Sequence, residues 1–362
     1  MVDFDALEAA GVANARERAE VIEYLDGLGF TAEEMVEAES RGRLFALSGD
    51  VLPWSGRPTY SLRAAAEIVG AEVDDAARAW SVLGLTVADI DQLALSQADV
   101  DVLATWIAFA EALGGEAAFG LLRVVGGTMA RLAEAEMSAW MCAQTPDIHI
   151  TDTRDELASA QAYRAGAELI PDIGAMMDTV HRHHLGRART YFEAIVRHDS
   201  AELVCGIGFA DLSGFTELTQ VLTSGELLAL LAEFNATVTD VVNSLGGRVV
   251  KFIGDEVMWV SSTPELLAKA AVGLVEHSKA REAGLHVKAG LGYGEVLAIN
   301  GDYFGNEVNL AARLVAAAEP GQILATPALN DALPQWPATI QAPLALKGFD
   351  APITPYDLRA ER

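Results

Sequence analysis

The sequence has few cysteines, no long apolar run and no leader-like start. Cys142 and Cys205 are its two cysteines among 362 residues, and their separation excludes a Cys-x-x-Cys zinc site. They imply no disulfide framework and suit a reducing compartment. No apolar stretch reaches the roughly 18–20 residues of a membrane-spanning helix, and the first residues lack the basic and apolar regions of a signal peptide. We therefore expect a cytoplasmic protein with no membrane insertion.

Basic residues are also scarce. The chain has 25 lysines and arginines against 52 aspartates and glutamates, which gives a formal net charge of -27. Such a surface repels nucleic acid backbones and argues against a protein whose main task is to bind them. Hydrophobic residues make up 51% of the chain, which is enough apolar material to rule out wholesale disorder. A phosphate substrate would need local positive charge from metal ions or a few placed cations.

The composition changes near residue 195 and divides the chain in two. The first part is rich in Ala, Leu, Glu and Arg at helical spacing, and Thr31 with Glu34 has the pattern of a capping box. We expect glycine pairs at 114–115 and 126–127 to interrupt its long helical stretch. The second part alternates apolar strands, helices and hairpins. We therefore predict an all-helical domain over 1–195 and an α+β domain over 196–362.

Residues 61–85 are similar to a helix-turn-helix, because two short helical segments meet at Gly70. DNA binding is one interpretation of this pattern, and a helical packing unit is the other. Asp74 and Asp75 open the second segment, where a DNA-reading helix would carry basic or amide groups. The sequence therefore favours the packing unit.

Two aspartates lie at expected strand ends. Asp211 ends an apolar strand, and a buried strand-end aspartate is costly unless it holds a cation or accepts hydrogen bonds. Asp255 lies on a Gly-Asp hairpin turn, with Lys251 before it. An ordinary helix cap and an ordinary turn would also explain them. Together, however, two such carboxylates could hold a pair of Mg²⁺ or Mn²⁺ ions.

The turn after Asp211 is a candidate phosphate site, since consecutive backbone N–H groups suit phosphate oxygens. It comprises Leu212, Ser213, Gly214, Phe215 and Thr216.

A third motif surrounds the helix after residue 305. Asp302 lies in the glycine-rich loop before it, while Asn309 and Arg313, spaced i,i+4, project from one helical face. An exposed Asn–Arg pair with no role in binding would also explain this spacing. The neighbouring Leu310 and Leu314 are apolar, so we expect a substantially buried helix with Arg313 on its buried side. A buried arginine requires an anion, such as a phosphoryl group.

The segments FADLSGFT, KFIGDEVM and GDYFGNEVNLAARL occur in this order between residues 209 and 314. Together they resemble the class III nucleotidyl cyclases, and the resemblance spans about 203–358. It implies a ferredoxin-like βαββαβ core with extra strands and a head-to-tail homodimer. It also implies conversion of ATP to 3′,5′-cyclic AMP and pyrophosphate through attack of the ribose 3′-hydroxyl on the α-phosphorus.

The resemblance implies a role for three pairs of residues: metal binding for Asp211 and Asp255, purine reading for Lys251 and Asp302, and transition-state binding for Asn309 and Arg313. Lys347 matches a polyphosphate-binding lysine through a shorter motif. Guanylyl cyclases carry Glu and Cys at the purine-reading positions, so the Lys–Asp pair points to ATP. An Asp acceptor and a Lys donor also suit the amine and ring nitrogens of adenine.

The family pattern implies two Mg²⁺ or Mn²⁺ ions per site, one acting on the 3′-hydroxyl and one on the triphosphate. It also implies that one subunit supplies the metal aspartates and its partner the remaining pairs. Two alternatives stay open: a guanylate cyclase, and a ligand- or DNA-responsive regulator that uses this domain for dimerisation.

The helical half, in segments such as ARERAEVIEYLDGLGFTAEEM, resembles the regulatory domain of mycobacterial pH-responsive adenylyl cyclases. Its apolar stripes also indicate self-association. His181, His183 and His184 lie in a basic cluster near the domain boundary, where protonation near neutral pH could bias a helix between two packings. A solvated helix face explains these histidines equally well. A lipid or another small molecule bound between apolar helices is equally open as the regulatory signal.

Overall fold

The computed structural model describes residues 2–50, 55–142, 155–196, 203–215, 219–277 and 286–358. The chain forms two compact units, the first unit Met1–Arg182 and the second unit His183–Arg362. No helix within these described ranges is long and apolar enough to cross a membrane.

The first unit is helical, with a short 3₁₀ helix at Leu44–Gly49 and one strand pair, β1 (Tyr60–Ser61) with β2 (Leu93–Leu95). Its α-helices are α1 (Phe4–Ala10), α2 (Ala19–Gly27), α3 (Ala32–Ser40), α4 (Leu62–Val69), α5 (Val73–Val82), α6 (Gln97–Leu113), α7 (Gly115–Cys142), α8 (Glu156–Ala167) and α9 (Ile170–Ile195), which continues into the second unit. The predicted capping box at Thr31 and Glu34 is confirmed, because each side chain bonds the other residue's backbone N–H.

The helices α4 and α5, which are similar to a helix-turn-helix, belong to the apolar core of the first unit. Gly70 ends α4 in the left-handed conformation at φ 74°. Leu62 and Trp80 pack with residues of α6 and α7, whereas Asp74 and Asp75 are exposed. This arrangement agrees with a packing unit.

One sequence expectation in the first unit is wrong. The pair at 114–115 does separate α6 from α7, but α7 runs without a break through Gly126 and Gly127. A Cβ at Gly126 would lie 2.6 Å from the carbonyl oxygen of Leu83. Gly126 therefore allows α7 to pass close to the end of α5, so its role is packing rather than helix termination.

The second unit is built around one mixed sheet. Its strands are β3 (Leu203–Ser213), β4 (Arg248–Ile253), β5 (Glu256–Ser261), β6 (His286–Ile299), β7 (Asp302–Phe304), β8 (Ile323–Ala325), β9 (Ala338–Ile340) and β10 (Tyr356–Leu358). The order is β4-β5-β3-β6-β8-β10-β9, and β7 pairs with β6 alone among the described strands. The strands β4, β5, β3 and β6 are antiparallel neighbours, while β8 is parallel to β6.

The helices of the second unit are α10 (Ser224–Ser244), α11 (Pro264–Val275), α12 (Asn306–Ala317) and α13 (Pro327–Ala332). The order β3-α10-β4-β5-α11-β6 gives the predicted ferredoxin-like βαββαβ core, and the α+β prediction is confirmed. Helix α11 ends at Val275, and 278–285 lie outside the described residues.

The central sheet has two apolar faces. Trp259 and Ala289 lie on the first, where they pack with α10 and α11. Ile207 and Phe209 lie on the second, together with buried side chains of α12 and Tyr191 from the end of α9. Since strand side chains alternate between faces, Asp211 continues the row of Ile207 and Phe209. Asp211 therefore belongs to the face that α12 covers.

The strand β6 brings α12 unusually close to the sheet. A Cβ at Gly290 would lie 2.2 Å from the Ala311 carbonyl oxygen, and one at Gly292 would lie 2.7 Å from the Glu307 carbonyl oxygen. Both positions therefore require glycine, and this close contact sets the height of α12 above the strands.

Candidate active site

Asp211 and Asp255 meet at one end of the central strands. Asp211 is near the end of β3, and Asp255 lies in the turn between β4 and β5, where Gly254 adopts φ 67°. The register pairs Asp211 with Glu256 on β5 and with Lys288 on β6. The sheet thus gathers three carboxyl groups and one ammonium group at this end.

Lys288 is the cation of this cluster, and its Nζ lies 3.3 Å from Asp211 Oδ2. Both side chains are largely buried, at 16% and 25% exposure. Sequence reasoning missed Lys288. The signal was a single lysine in a largely apolar strand, but only the strand register shows that it faces Asp211.

Two acidic side chains of the cluster, Asp255 and Glu256, have raised pKa values. Burial raises the pKa of Asp255, and the adjacent Asp211 carboxyl adds to this rise while Lys288 opposes it. Burial also raises the pKa of Glu256, with further contributions from Asp211 and Asp255. Proximity of like charges therefore makes a negative site that a bound cation would relieve.

The donor set fits hard divalent cations. Mg²⁺ is held in many phosphate-handling sites by one or two carboxylates, with water and substrate oxygens completing its shell. Asp211 and Asp255 supply two such carboxylates, and Asp211 is close enough to help raise the pKa of Asp255. No group of three or more His, Cys, Asp or Glu side chains in the described ranges is placed to hold a metal. The site therefore suits an ion whose remaining ligands come from water and a phosphate.

Lys251 and Asp302 form an ion pair between β4 and β7. Asp302 Oδ2 accepts from Lys251 Nζ, while Asp302 Oδ1 accepts from the Tyr303 backbone N–H at 2.8 Å. Both side chains remain partly exposed, so a ligand can reach them.

Asn309 and Arg313 lie on the exposed face of α12, whereas Leu310 and Leu314 are buried. The expectation of a buried arginine is therefore wrong, because the apolar neighbours point to the opposite face of the helix. Arg313 Nε donates to the Lys347 carbonyl oxygen at 3.2 Å, which places the exposed Lys347 beside it.

The structure places two members of the predicted phosphate turn in a strand. Leu212 and Ser213 belong to β3, and the Leu212 side chain is buried in the core. Gly214 follows in the left-handed region at φ 83°, and Phe215 packs against the core. Thr216 lies outside the described residues. Among the described members of the predicted set, Gly214 therefore lies in a turn and Phe215 is helical.

The structure joins the candidate residues pairwise: Asp211 with Asp255, Lys251 with Asp302, and Arg313 with Lys347. In the part of the chain that is described, no hydrogen bond or ion pair links one of these pairs to another.

Two family profiles match the chain. Residues 196–358 match the adenylate and guanylate cyclase catalytic domain, and residues 4–188 match the adenylate cyclase regulatory domain. These ranges leave residues 189–195 between them.

Several curated relatives resemble three quarters of the chain or more. An uncharacterized protein of Mycobacterium tuberculosis strain H37Rv is 65% identical over 99% of this chain and 94% of its own length. An adenylate cyclase of Streptomyces coelicolor is 34% identical over 76% of this chain and 71% of its own length. A pH-sensitive adenylate cyclase of Mycobacterium tuberculosis strain CDC 1551 is 28% identical over 90% of this chain and 82% of its own length. Together with the profiles and the site, these similarities show that the chain belongs to the class III adenylate and guanylate cyclases and carries an adenylate cyclase regulatory domain.

Proposed function

We propose that this enzyme is an adenylate cyclase that converts ATP to 3′,5′-cyclic AMP and pyrophosphate. The observation that carries the choice of nucleotide is the Lys251–Asp302 ion pair. An Asp oxygen can accept from the exocyclic amine of adenine, and a Lys ammonium can donate to a ring nitrogen. Guanine presents a carbonyl oxygen in place of that amine, which reverses part of this donor and acceptor pattern. The Streptomyces relative named adenylate cyclase supports the same choice.

Asp211 and Asp255 would hold the divalent ions on which class III cyclases depend. When bound, such ions lower the pKa of the ribose 3′-hydroxyl and neutralise charge on the triphosphate. Lys288 lies beside Asp211, where it would add positive charge for the phosphates. No side chain of this cluster is assigned as general base.

Asn309 and Arg313 would act together from one exposed face of α12. The Asn amide orients the ribose, and the Arg guanidinium stabilises charge that develops on the reacting phosphoryl group. The contact of Arg313 with the Lys347 carbonyl brings a second cation to this face, where it would bind the polyphosphate. The backbone N–H groups near Gly214 would bind phosphate oxygens from the other side.

We further propose a homodimer in which each active site combines residues of two subunits. The three candidate pairs are not linked within the described chain, which agrees with sites completed by a second copy. Exposed apolar side chains near these pairs, such as Ile253, Leu297 and Phe304, would be covered by that copy.

The decisive experiment is turnover by the purified full chain with Mn²⁺ and either ATP or GTP. We expect cyclic AMP, and a kcat/KM for GTP at least about tenfold lower. The Asp255→Asn variant should make no product, and it should also lose the thermal shift that Mn²⁺ gives the wild type. Preferential conversion of GTP would support the guanylate cyclase alternative. A folded, dimeric chain without turnover would support the regulator alternative.

The N-terminal domain would regulate the enzyme in response to pH or to a lipid or other small ligand. The named pH sensitivity of one relative supports the first possibility. His181, His183 and His184 are all exposed on α9, which fits a solvated face as well as a sensor. Replacing the three with Asn in the full chain should flatten the activity–pH profile if they are the sensor. An unchanged profile would dismiss them.

A further inference from the structure

Tyr303 follows Asp302 directly and is one of the largest fully buried side chains in the second unit, at 2% exposure. It reaches the core because the hairpin of β6 and β7 folds over the sheet face that holds Ile207 and Phe209. Its hydroxyl accepts a hydrogen bond from Arg248 Nη2 at 2.8 Å. The proposed activity does not use either residue.

Two side-chain links therefore connect β7 with the edge strand β4. Lys251 pairs with Asp302, and three residues earlier Arg248 bonds Tyr303. Among the described strands, β7 shares backbone hydrogen bonds with β6 alone. Its position relative to β4 consequently depends on these two links and on the packing of Tyr303.

The surroundings of Arg248 are unusual for a half-buried guanidinium. It forms no ion pair with a carboxylate in the described ranges. Its Cζ instead lies 5.4 Å from the ring centroid of Tyr303 and 5.9 Å from that of Tyr191. Burial raises the pKa of both phenols, and it raises the pKa of the nearby Cys205 thiol to about 11. These neighbours are therefore neutral near pH 7, and the phenol oxygen of Tyr303 is the acceptor that Arg248 uses.

Tyr303 also holds Asp302 through the backbone. Its N–H donates to Asp302 Oδ1 at 2.8 Å, while Lys251 holds the other carboxylate oxygen. Anchoring the Tyr303 side chain thus fixes the amide that orients the Asp302 carboxylate. A small displacement of this hairpin would turn the carboxylate away from both Lys251 and a bound base.

We propose that Arg248 and Tyr303 are positioning residues for purine recognition. Their hydrogen bond holds the β6–β7 hairpin on β4, so that Asp302 meets the base together with Lys251. This proposal rests on the proposed function, because it deepens the nucleotide selection of the same site. It assigns neither residue a contact with the substrate.

The test compares Tyr303→Phe, which removes one oxygen and keeps the ring, with Arg248→Met. We expect each variant to raise the KM for ATP roughly five- to tenfold, with kcat within about twofold of the wild type. The ratio of kcat/KM for ATP over GTP should fall about fivefold. The double variant should be no worse than either single variant, because both break one interaction.

Tyr293→Phe is the matched control. Tyr293 lies on β6 but packs against the opposite face of the sheet, so the same chemical change there should leave nucleotide preference unaltered. Tyr303→Phe and Tyr293→Phe should also show similar melting temperatures. A merely structural role for Tyr303 would instead lower the melting temperature and reduce activity on both nucleotides equally.

Calorimetric binding of non-reactive ATP and GTP analogues separates this proposal from the function on which it rests. Loss of preference for the ATP analogue in Tyr303→Phe would support the positioning role even if no cyclic nucleotide forms. Unchanged preference in Tyr303→Phe, by turnover or by binding, would overturn it. Absence of cyclic AMP from the wild type, in contrast, would overturn the proposed function.

Discussion

Lys288 Nζ lies 3.3 Å from Asp211 Oδ2, and the two residues are direct cross-strand neighbours on β6 and β3. This pair places a cation next to the two candidate metal-binding carboxylates of a strongly acidic chain. In a chain with a net charge of -27, Lys288 therefore offsets part of the negative charge of this cluster, and a bound cation would offset the remainder.

Replacing Lys288 with Met should reduce cyclase activity at least about tenfold, because Asp211 and Asp255 would lose their common counter-charge. The free energy of unfolding without metal should also fall by roughly 1–2 kcal/mol, since half-buried carboxylates would remain unpaired. Turnover and chemical denaturation measure the two effects. Lys269→Met, on the exposed side of α11, is the control and should change neither. Full activity of Lys288→Met would contradict this role.

The Glu256→Gln variant should be more stable than the wild type at pH 7 in the presence of chelator. In the unfolded chain this carboxyl titrates near 4.5, whereas burial and then Asp211 and Asp255 raise its pKa in the folded protein. The folded state therefore holds the proton more tightly, and this contribution to stability is lost as the pH rises through the raised pKa. We expect a gain on the order of 1 kcal/mol at pH 7 that vanishes below about pH 4.5.

Denaturant titrations of both proteins between pH 4 and pH 8 would measure this difference. Glu295→Gln, at an exposed position of β6, controls for loss of a surface charge. A gain from Glu256→Gln that does not change with pH would show that ionisation is not its cause.

Mixing two inactive variants tests the shared active site. Asp211→Ala chains and Arg313→Ala chains should each be inactive, but a mixed dimer would contain one intact site. Random association should restore up to roughly a quarter of wild-type activity, because half the dimers are mixed and each has one of two sites. Asp211→Ala mixed with Asp255→Ala should restore nothing, since both changes affect the same half of the site. No recovery in the first mixture, with folded dimeric variants, would refute shared sites.

The close contact between β6 and α12 predicts a strong effect of Gly290→Ala. The new Cβ would overlap the Ala311 carbonyl and the Val315 N–H at 2.2 and 2.3 Å, so α12 must move outward. We expect a loss of about 3 kcal/mol in the free energy of unfolding. Activity should fall as well, because α12 carries Asn309 and Arg313. Thermal denaturation and turnover would check this prediction.

Gly225→Ala is the matched control for that prediction. Gly225 lies in the first turn of α10, and a Cβ added there would meet no atom within 4 Å beyond its own helix. Alanine there should be neutral or stabilise the helix by at most about 1 kcal/mol. Equal destabilisation by the two changes would show that the contact with α12 is not the cause.

Several features were predictable because they depend on near neighbours in sequence. The capping box at Thr31, the i,i+4 placement of Asn309 and Arg313, and the hairpin turn at Asp255 all follow from local geometry. The burial of Arg313 was predicted wrongly because apolar neighbours one residue away occupy the other side of a helix. The predicted helix break at Gly126 was wrong for a different reason. The Leu83 backbone that Gly126 approaches is distant in sequence, so this packing role could not be recognised locally.

The sequence by itself determined that a helix-patterned half precedes a half of alternating strands and helices. It also determined the residue types of the site: carboxylates, a Lys–Asp pair and an Asn–Arg pair. Side-chain chemistry and short spacings depend only on residues that are close in sequence, so they can be recognised without a structure. Only the tertiary structure decided that Lys288 faces Asp211 and that Arg248 holds Tyr303. Those contacts depend on strand register and on the folding of a hairpin over the sheet, which long-range packing selects.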